Sequence, residues 1–215
     1  IGKGALVTST TSSHNTGVGF EALKVNTTGT QNVAVGSQAL DAATTADGNT
    51  AIGAHSMTAN TTGGANVAVG RFALQNQTTG GSNVAIGDQC MRYNTTGNTS
   101  TVGQGALYSN TTAHNNTAVG FNTMIGTTTG AQNTAMGRSA LGANTTANDN
   151  TALGYFSMVS NTTGTGNTAV GSYSLDANST GSYNSALGNH ALSATNTGAN
   201  NVGVGQAALF YQTTG

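Results

Sequence analysis

A glycine recurs at a fixed interval along the whole sequence. The interval is seventeen residues, with a single step of sixteen residues that ends at Gly103. A short period sustained over a whole chain indicates a solenoid, in which each repeat forms one coil and buries its apolar side by stacking on its neighbours. We therefore predict an all-β parallel β-solenoid, or β-roll, of about thirteen coils that forms a single uncapped repeat domain over residues 1–215. The repeated glycines are Gly2, Gly19, Gly36, Gly53, Gly70, Gly87, Gly103, Gly120, Gly137, Gly154, Gly171, Gly188 and Gly205.

The residues before each glycine predict a short strand. They follow the pattern Asn-Thr/Val-Ala-Val/Ile-Gly, as at residues 49–53 and 66–70. Successive side chains of a strand face opposite ways, so the β-branched residues share one face while Asn and Ala share the other. The residue just before the glycine is always Val, Ile, Leu or Met. We name these residues the aliphatic column and expect them in the core.

Two further columns are expected inside the coil. Four residues after each glycine only Leu or Met occurs, which we name the Leu/Met column. Nine residues after each glycine a threonine occurs without exception, within a turn of the form Asn-Thr-Thr-Gly. Asn and Gly suit such turns, and we expect this threonine column to point inward and to hydrogen-bond along the stack. The predicted core ladder comprises Val35, Ile52, Val69, Leu40, Met57, Leu74, Thr45, Thr62 and Thr79.

The asparagine that opens each strand is similarly persistent. Aligned from coil to coil, such amides can form a ladder in which each side chain donates a hydrogen bond to the next. We name this the asparagine ladder, and Thr99 is its one exception, beside the sixteen-residue step. The predicted ladder includes Asn32, Asn49, Asn66 and Asn83.

The position two residues before the glycine stays small. It holds alanine in most coils, including Ala51, Ala68 and Ala85, and never carries a charge. A solvent-facing column would vary more, so either the opposite wall of the coil or another chain packs against this alanine column. We favour another chain, because an exposed flat strip of small residues favours self-association. The alanine column is therefore the predicted chain–chain strip.

Composition excludes several classes of function. Charged residues make up 5% of the chain and the formal net charge is −1, so no basic surface exists for nucleic acid or an anionic membrane. No apolar run approaches the roughly 20 residues that membrane insertion requires. The acids and histidines are scattered over different coils, whereas a metal site or a catalytic pair needs convergent ligands. We expect no enzyme activity, no catalytic or metal-binding residue and no cofactor.

Asn-x-Thr sequons accompany the turns. Such a sequon is an acceptor for N-glycosylation, but turn chemistry also explains this pattern. Sequons recur in the turns at positions that include Asn26, Asn60, Asn94, Asn110, Asn144 and Asn161.

The repeated unit resembles known fibrous proteins. The motif Asn-x-Ala-Val/Ile-Gly followed by x-x-Ala/Ser-Leu is similar to the repeats of trimeric autotransporter adhesin heads. The longer unit, which ends in Asn-Thr-Thr-Gly, resembles repeats in phage tail-fibre-like proteins. The resemblance implies a parallel β-roll, commonly trimeric, that serves as an extracellular shaft or adhesive surface.

These observations predict an extracellular structural segment of a fibre or filament. Its partner would be the chain itself, as a homo-oligomer, either a trimer or an end-to-end filament. An alternative is an adhesin head that binds surface glycans through exposed aromatic rings, which could stack on sugars or instead fill grooves between chains. A remote alternative is an ice-binding protein, since threonine columns recur. The candidate surface-binding residues are Phe72, Phe121, Tyr155, Phe156 and Tyr173.

Overall fold

The computed structural model describes residues 1–211 and confirms the predicted all-β parallel β-solenoid, with about 11 turns. The predicted absence of a C-terminal cap concerns residues 212–215, which lie outside the described residues. The chain divides into two compact units, Ile1–Thr112 and a second that begins at Ala113. The strands of the first unit are β1 (Thr16–Val18), β2 (Val33–Val35), β3 (Thr50–Ile52), β4 (Val67–Val69), β5 (Val84–Ile86) and β6 (Ser100–Val102). Those of the second are β7 (Thr117–Val119), β8 (Thr134–Met136), β9 (Thr151–Leu153), β10 (Thr168–Val170), β11 (Ser185–Leu187) and β12 (Val202–Val204).

Within each unit every strand pairs in parallel with the strand one coil further along the chain. In the first unit Ala34 lies opposite Ala51, and in the second Ala135 lies opposite Ala152. The register shift between paired strands therefore equals one repeat. Because of this, each sequence column becomes a spatial column with one side chain per coil.

The repeated glycine forms a corner that no other residue fits. Gly53 has a φ of 132°, a conformation that side chains disfavour. A Cβ atom placed there would lie 2.5 Å from the carbonyl oxygen of Gly70 in the next coil. Both a positive φ and the close approach of a neighbouring backbone therefore require glycine at this corner.

Two walls of small and medium side chains form the core. The Leu/Met column is fully buried from Leu23 to Leu192, as predicted for Leu40, Met57 and Leu74, while Leu209 at its end is 46% exposed. Its members nevertheless adopt left-handed backbone angles, with φ of 52° at Leu40 and 53° at Met57. This conformation costs roughly 1–2 kcal/mol per residue for side chains other than glycine. Burial in the coil offsets that cost.

The aliphatic column was predicted to be core, and this prediction is wrong. Ile52 is 39% exposed, and Val35 and Val69 are only half-buried. Each strand turns its first and third side chains outward and its middle side chain inward, so the β-branched residues lie on the outer face.

The alanine column faces inward instead. Ala51, Ala68 and Ala85 are fully buried within the single chain, so they cannot form the predicted chain–chain strip. The opposite wall of the coil is what packs against them. At Gly17, where this column lacks a methyl group, an added Cβ would lie 3.1 Å from Cγ of Leu6.

The threonine column also differs from its prediction. Thr45, Thr62 and Thr79 are exposed. The preceding threonine of each turn forms the hydrogen bonds along the stack, as where the Thr44 hydroxyl donates to the carbonyl oxygen of Thr61 at 3.3 Å. The turn thus presents one exposed threonine column beside one whose hydroxyls bond to backbone.

Candidate functional site: the exposed strand face

The outer face of the strands carries a contiguous stripe of aliphatic side chains. In the first unit Ile52 is 39% and Ile86 is 38% exposed, and in the second Met136 and Leu187 reach 53% and 51%. Single exposed apolar residues are ordinary, but contiguous ones mark interaction surfaces. The stripe in the first unit comprises Val18, Val35, Ile52, Val69, Ile86 and Val102, and in the second Val119, Met136, Leu153, Val170, Leu187 and Val204.

The spacing of this stripe follows from the strand pairing. Neighbouring strands lie about 4.8 Å apart, so six strands place six aliphatic groups along about 24 Å in each unit. The first residue of each strand adds a second outward column. In the first unit it includes Val33, Val67 and Val84, whereas in the second it is Thr or Ser except at Val202. None of the outward strand positions carries a charge, so no ionised group on these strands opposes the removal of this face from water.

The asparagine ladder holds the start of each strand rigidly. The backbone N–H and the Nδ2 of Asn49 both donate to Oδ1 of Asn32, at 2.9 and 3.1 Å. The same Nδ2 also donates to the carbonyl oxygen of Gly63 at 2.9 Å. Asn66 and Asn83 repeat the interaction with the preceding asparagine, and all four predicted members are buried. The predicted ladder is confirmed.

The sixteen-residue coil replaces one rung of this ladder. The backbone N–H of Thr99 donates to Oδ1 of Asn83 at 2.8 Å, and the Thr99 hydroxyl points to Sδ of Met91. Asn98, the residue before it, is exposed. The sixteen-residue coil therefore keeps the hydrogen bond from the backbone N–H to the preceding asparagine but lacks the side-chain amide that would continue the ladder.

A second inward polar column was missed by sequence reasoning. The asparagine of the Asn-Thr-Thr-Gly turn is fully buried, and at Asn60 its Nδ2 donates to the Gly63 carbonyl oxygen at 2.9 Å. In return the Gly63 N–H donates to Oδ1 of Asn60 at 3.1 Å. The signal was available, because Asn recurs seven residues after most of the repeated glycines.

The candidate aromatic residues of the second unit lie together. The Phe156 and Tyr173 rings are stacked with centroids 5.8 Å apart, and Tyr173 stacks on His190 at 5.1 Å. Tyr155 contacts the edges of both Phe156 and Tyr173. Face-to-face stacking along the column covers the ring faces of Tyr173 that a sugar would need. Tyr155, which is 42% exposed, is the member best placed to meet a ligand.

Phe72 and Phe121 are not part of that cluster. The Phe72 ring stacks on His55 at 5.3 Å, and the Arg92 guanidinium lies 4.7 Å from its centroid. Phe121 is 43% exposed, with the Arg138 guanidinium 5.4 Å from its ring centroid. Cations therefore occupy positions over both rings.

Burial shifts the pKa of two titratable side chains in the first unit. Burial raises the pKa of the Cys90 thiol to about 11, so it stays protonated and poorly nucleophilic at neutral pH. Burial also raises the pKa of Asp41. Over residues 1–211 no three His, Cys, Asp or Glu side chains lie close enough together to hold a metal ion.

Comparison with known proteins does not identify a relative. No family model matches the chain, and no significant match was found among curated proteins or solved structures. In the part of the chain that the structure describes, no helix has the length and hydrophobicity needed to cross a bilayer.

Proposed function

We propose that this chain is a structural segment of an extracellular fibre or filament, whose stacked coils associate with further copies of the same chain. The observation that carries the proposal is the uncharged aliphatic stripe on the outer face of both units. The resemblance to adhesin heads and tail fibres supports the extracellular role and favours three chains.

The stripe is the surface on which we place the self-association. About 24 Å of stripe, some 10 Å wide, amounts to roughly 240 Å² in each unit. A standard interface covers about 800 Å² per partner, so the stripe of one unit supplies less than about a third of that area and needs its flanking residues. The outward Val33, Val67 and Val84 of the first unit widen it. The contact area between two chains grows with every coil that takes part, so the repetition of coils stabilises the assembly.

Light scattering of the native chain tests the proposal. We expect a mass that is at least twice the 21.1 kDa of one chain. The double variant Ile52→Lys/Ile86→Lys places two charges on the stripe and should return the chain to a monomer without loss of its β-sheet signal. The control Ser37→Lys/Thr62→Lys adds the same charge at exposed positions away from the stripe and should keep the native mass. A native chain that remains monomeric at every concentration would contradict the proposal.

A second candidate function is glycan binding by the ring cluster of the second unit. The exposed position of Tyr155 beside the stacked Phe156 and Tyr173 favours it. Carbohydrate-array binding that disappears in Tyr155→Ala would support this function. Tyr183→Ala, which removes a ring that is 65% exposed elsewhere on the coil, is the matched control. Equal binding by both variants and the native chain would refute it.

A further inference from the structure

The sequence contains ten Asn-x-Ser/Thr sequons, and the fold separates them into different environments. Seven have their asparagine in the turn, where the side chain is fully buried. Asn76 is half-buried, whereas Asn98 and Asn115 are exposed. The seven buried acceptors are Asn26, Asn60, Asn94, Asn110, Asn144, Asn161 and Asn178.

The buried acceptors use their amide nitrogens to hold the coil together. Nδ2 of Asn178 donates to Oδ1 of Asn161 at 2.9 Å and to the Gly181 carbonyl oxygen at 3.0 Å. N-glycosylation makes this nitrogen the nucleophile, so a transferase would have to break both hydrogen bonds and open the coil. A glycan attached before folding would in turn prevent the turn from closing.

The two exposed acceptors share one position in the coil, directly before the residue on the ladder rung, and Gln31 and Ser82 are exposed at this position too. Asn98 is exposed because Thr99 takes the ladder rung of the sixteen-residue coil. Asn115 precedes the ladder residue Asn116, which is buried and donates to the Gly130 carbonyl oxygen. The hydroxyl residues of these two sequons, Ser100 and Thr117, are also exposed.

We propose that Asn98 and Asn115 are N-linked glycan acceptor sites of the folded protein, and that the seven turn asparagines accept a glycan only in the unfolded chain. In the reaction Nδ2 forms a bond to the anomeric carbon of a sugar nucleotide. The bond from that carbon to the nucleoside diphosphate breaks, the diphosphate leaves, and Nδ2 releases one proton to the transferase. Folding therefore decides which sequons are modified.

Ser100 and Thr117 lie in the outward strand column beside the proposed association stripe, so the test uses the purified, folded chain at a dilution where light scattering shows a monomer. The reagents are a soluble sequon-specific N-glycosyltransferase and UDP-glucose. Every sample carries Asn76→Gln, so that the half-buried acceptor does not enter the comparison. Mass spectrometry should find hexose at Asn98 and Asn115 and none at the turn asparagines. Tryptic peptides of the same chain, treated identically, should gain hexose at the turn sequons as well.

Two results would overturn the inference. One is hexose at turn asparagines of the folded chain at a rate similar to that at Asn98 and Asn115. The other is an unmodified folded chain whose peptides are modified at Asn98 and Asn115. The variant Asn98→Gln/Asn115→Gln, checked for folding by circular dichroism, should take up no hexose, and uptake by this variant would equally contradict the assignment.

Discussion

The two faces of each strand carry side chains of different size: small ones face inward and larger aliphatic ones face outward. On the inner face Ala51 is fully buried, while on the outer face its neighbour Ile52 is 39% exposed. The interior is narrow because the Leu/Met column already fills it from the opposite wall, as the close approach of Leu6 to Gly17 shows. The width of the coil therefore limits side-chain size on the inner face and does not limit it on the outer face.

The largest expected effect comes from placing a charge on the inner face. Ala51→Asp buries a carboxylate without room or partner and should destabilise the first unit by several kcal/mol, enough to unfold it. Ile52→Asp, one residue away, should change the stability of the dilute chain by less than about 1 kcal/mol. Thermal unfolding followed by circular dichroism measures the stability of both variants. Similar losses of stability would contradict the difference between the two faces.

The glycine corner should be nearly as sensitive. Gly53→Ala forces a Cβ against the Gly70 carbonyl oxygen, and we expect a loss of about 3 kcal/mol or more. Gly48→Ala is the matched control, since a Cβ there would meet nothing closer than 3.9 Å and its φ of 67° resembles that of Ala65 one coil later. It should cost about 1 kcal/mol. Equal urea midpoints for the two variants would show that the backbone at the glycine corner can move to accommodate a Cβ atom.

An intermediate effect is expected in the asparagine ladder. Nδ2 of Asn66 donates to Asn49 and to Gly80, and its Oδ1 accepts from the Asn83 backbone at 3.0 Å. Asn66→Ala leaves the buried backbone N–H of Asn83 without its acceptor, removes both Nδ2 hydrogen bonds and should cost about 2–3 kcal/mol in urea unfolding. Asn76→Ala, which removes a half-buried amide outside the ladder, serves as the control and should cost less. Equal losses would mean that the ladder contributes nothing specific.

The smallest expected effect concerns Asp41. One of its carboxylate oxygens is buried without a hydrogen-bond partner, and burial raises its pKa. The folded chain therefore binds this proton more tightly than the unfolded chain does. Stability falls as pH rises from the unfolded pKa, near 3.9, through the raised folded pKa, and it stays lowered at neutral pH.

Asp41→Asn should remove this pH-dependent loss. We expect it to stabilise the chain by less than about 1 kcal/mol at pH 7, after allowance for solvent screening, and to make no difference near pH 3. Chemical denaturation at both pH values measures this. A variant that is less stable than the native chain at pH 7 would contradict the assigned cause of the shift.

The period and the polar columns were sufficient to predict most of the fold. The strand positions, the asparagine ladder and the buried Leu/Met column follow from which residues recur at each position. Which face of a strand points inward does not follow from these recurring residues. Period-two alternation shows that Val67 and Val69 share a face, but it does not show whether that face is interior. The prediction placed the larger side chains of the aliphatic column in the core. The coil is narrow, so the alanine column faces inward instead.

Backbone conformation accounts for the remaining differences. Leucine disfavours the left-handed region, so nothing in its propensity predicts a φ near 52° at Leu40. Such a residue changes the direction of the chain within the coil, so period-two alternation does not carry past it to the threonines of the following turn. Phe156 and Tyr173 were predicted to be exposed but are half-buried, because they stack on each other, and that stacking depends on the coil-to-coil register.

Thiol labelling at two adjacent residues tests the central claim most directly. In a Cys90→Ala background, a maleimide reagent is applied to Ala85→Cys and to Ile86→Cys over a range of protein concentrations. We predict that the thiol at position 86 reacts readily in dilute protein and becomes protected as concentration rises, while the thiol at position 85 is protected throughout. A position 86 thiol that reacts equally fast at all concentrations, or a position 85 thiol that reacts faster, would contradict an outward aliphatic stripe that binds further copies of the chain.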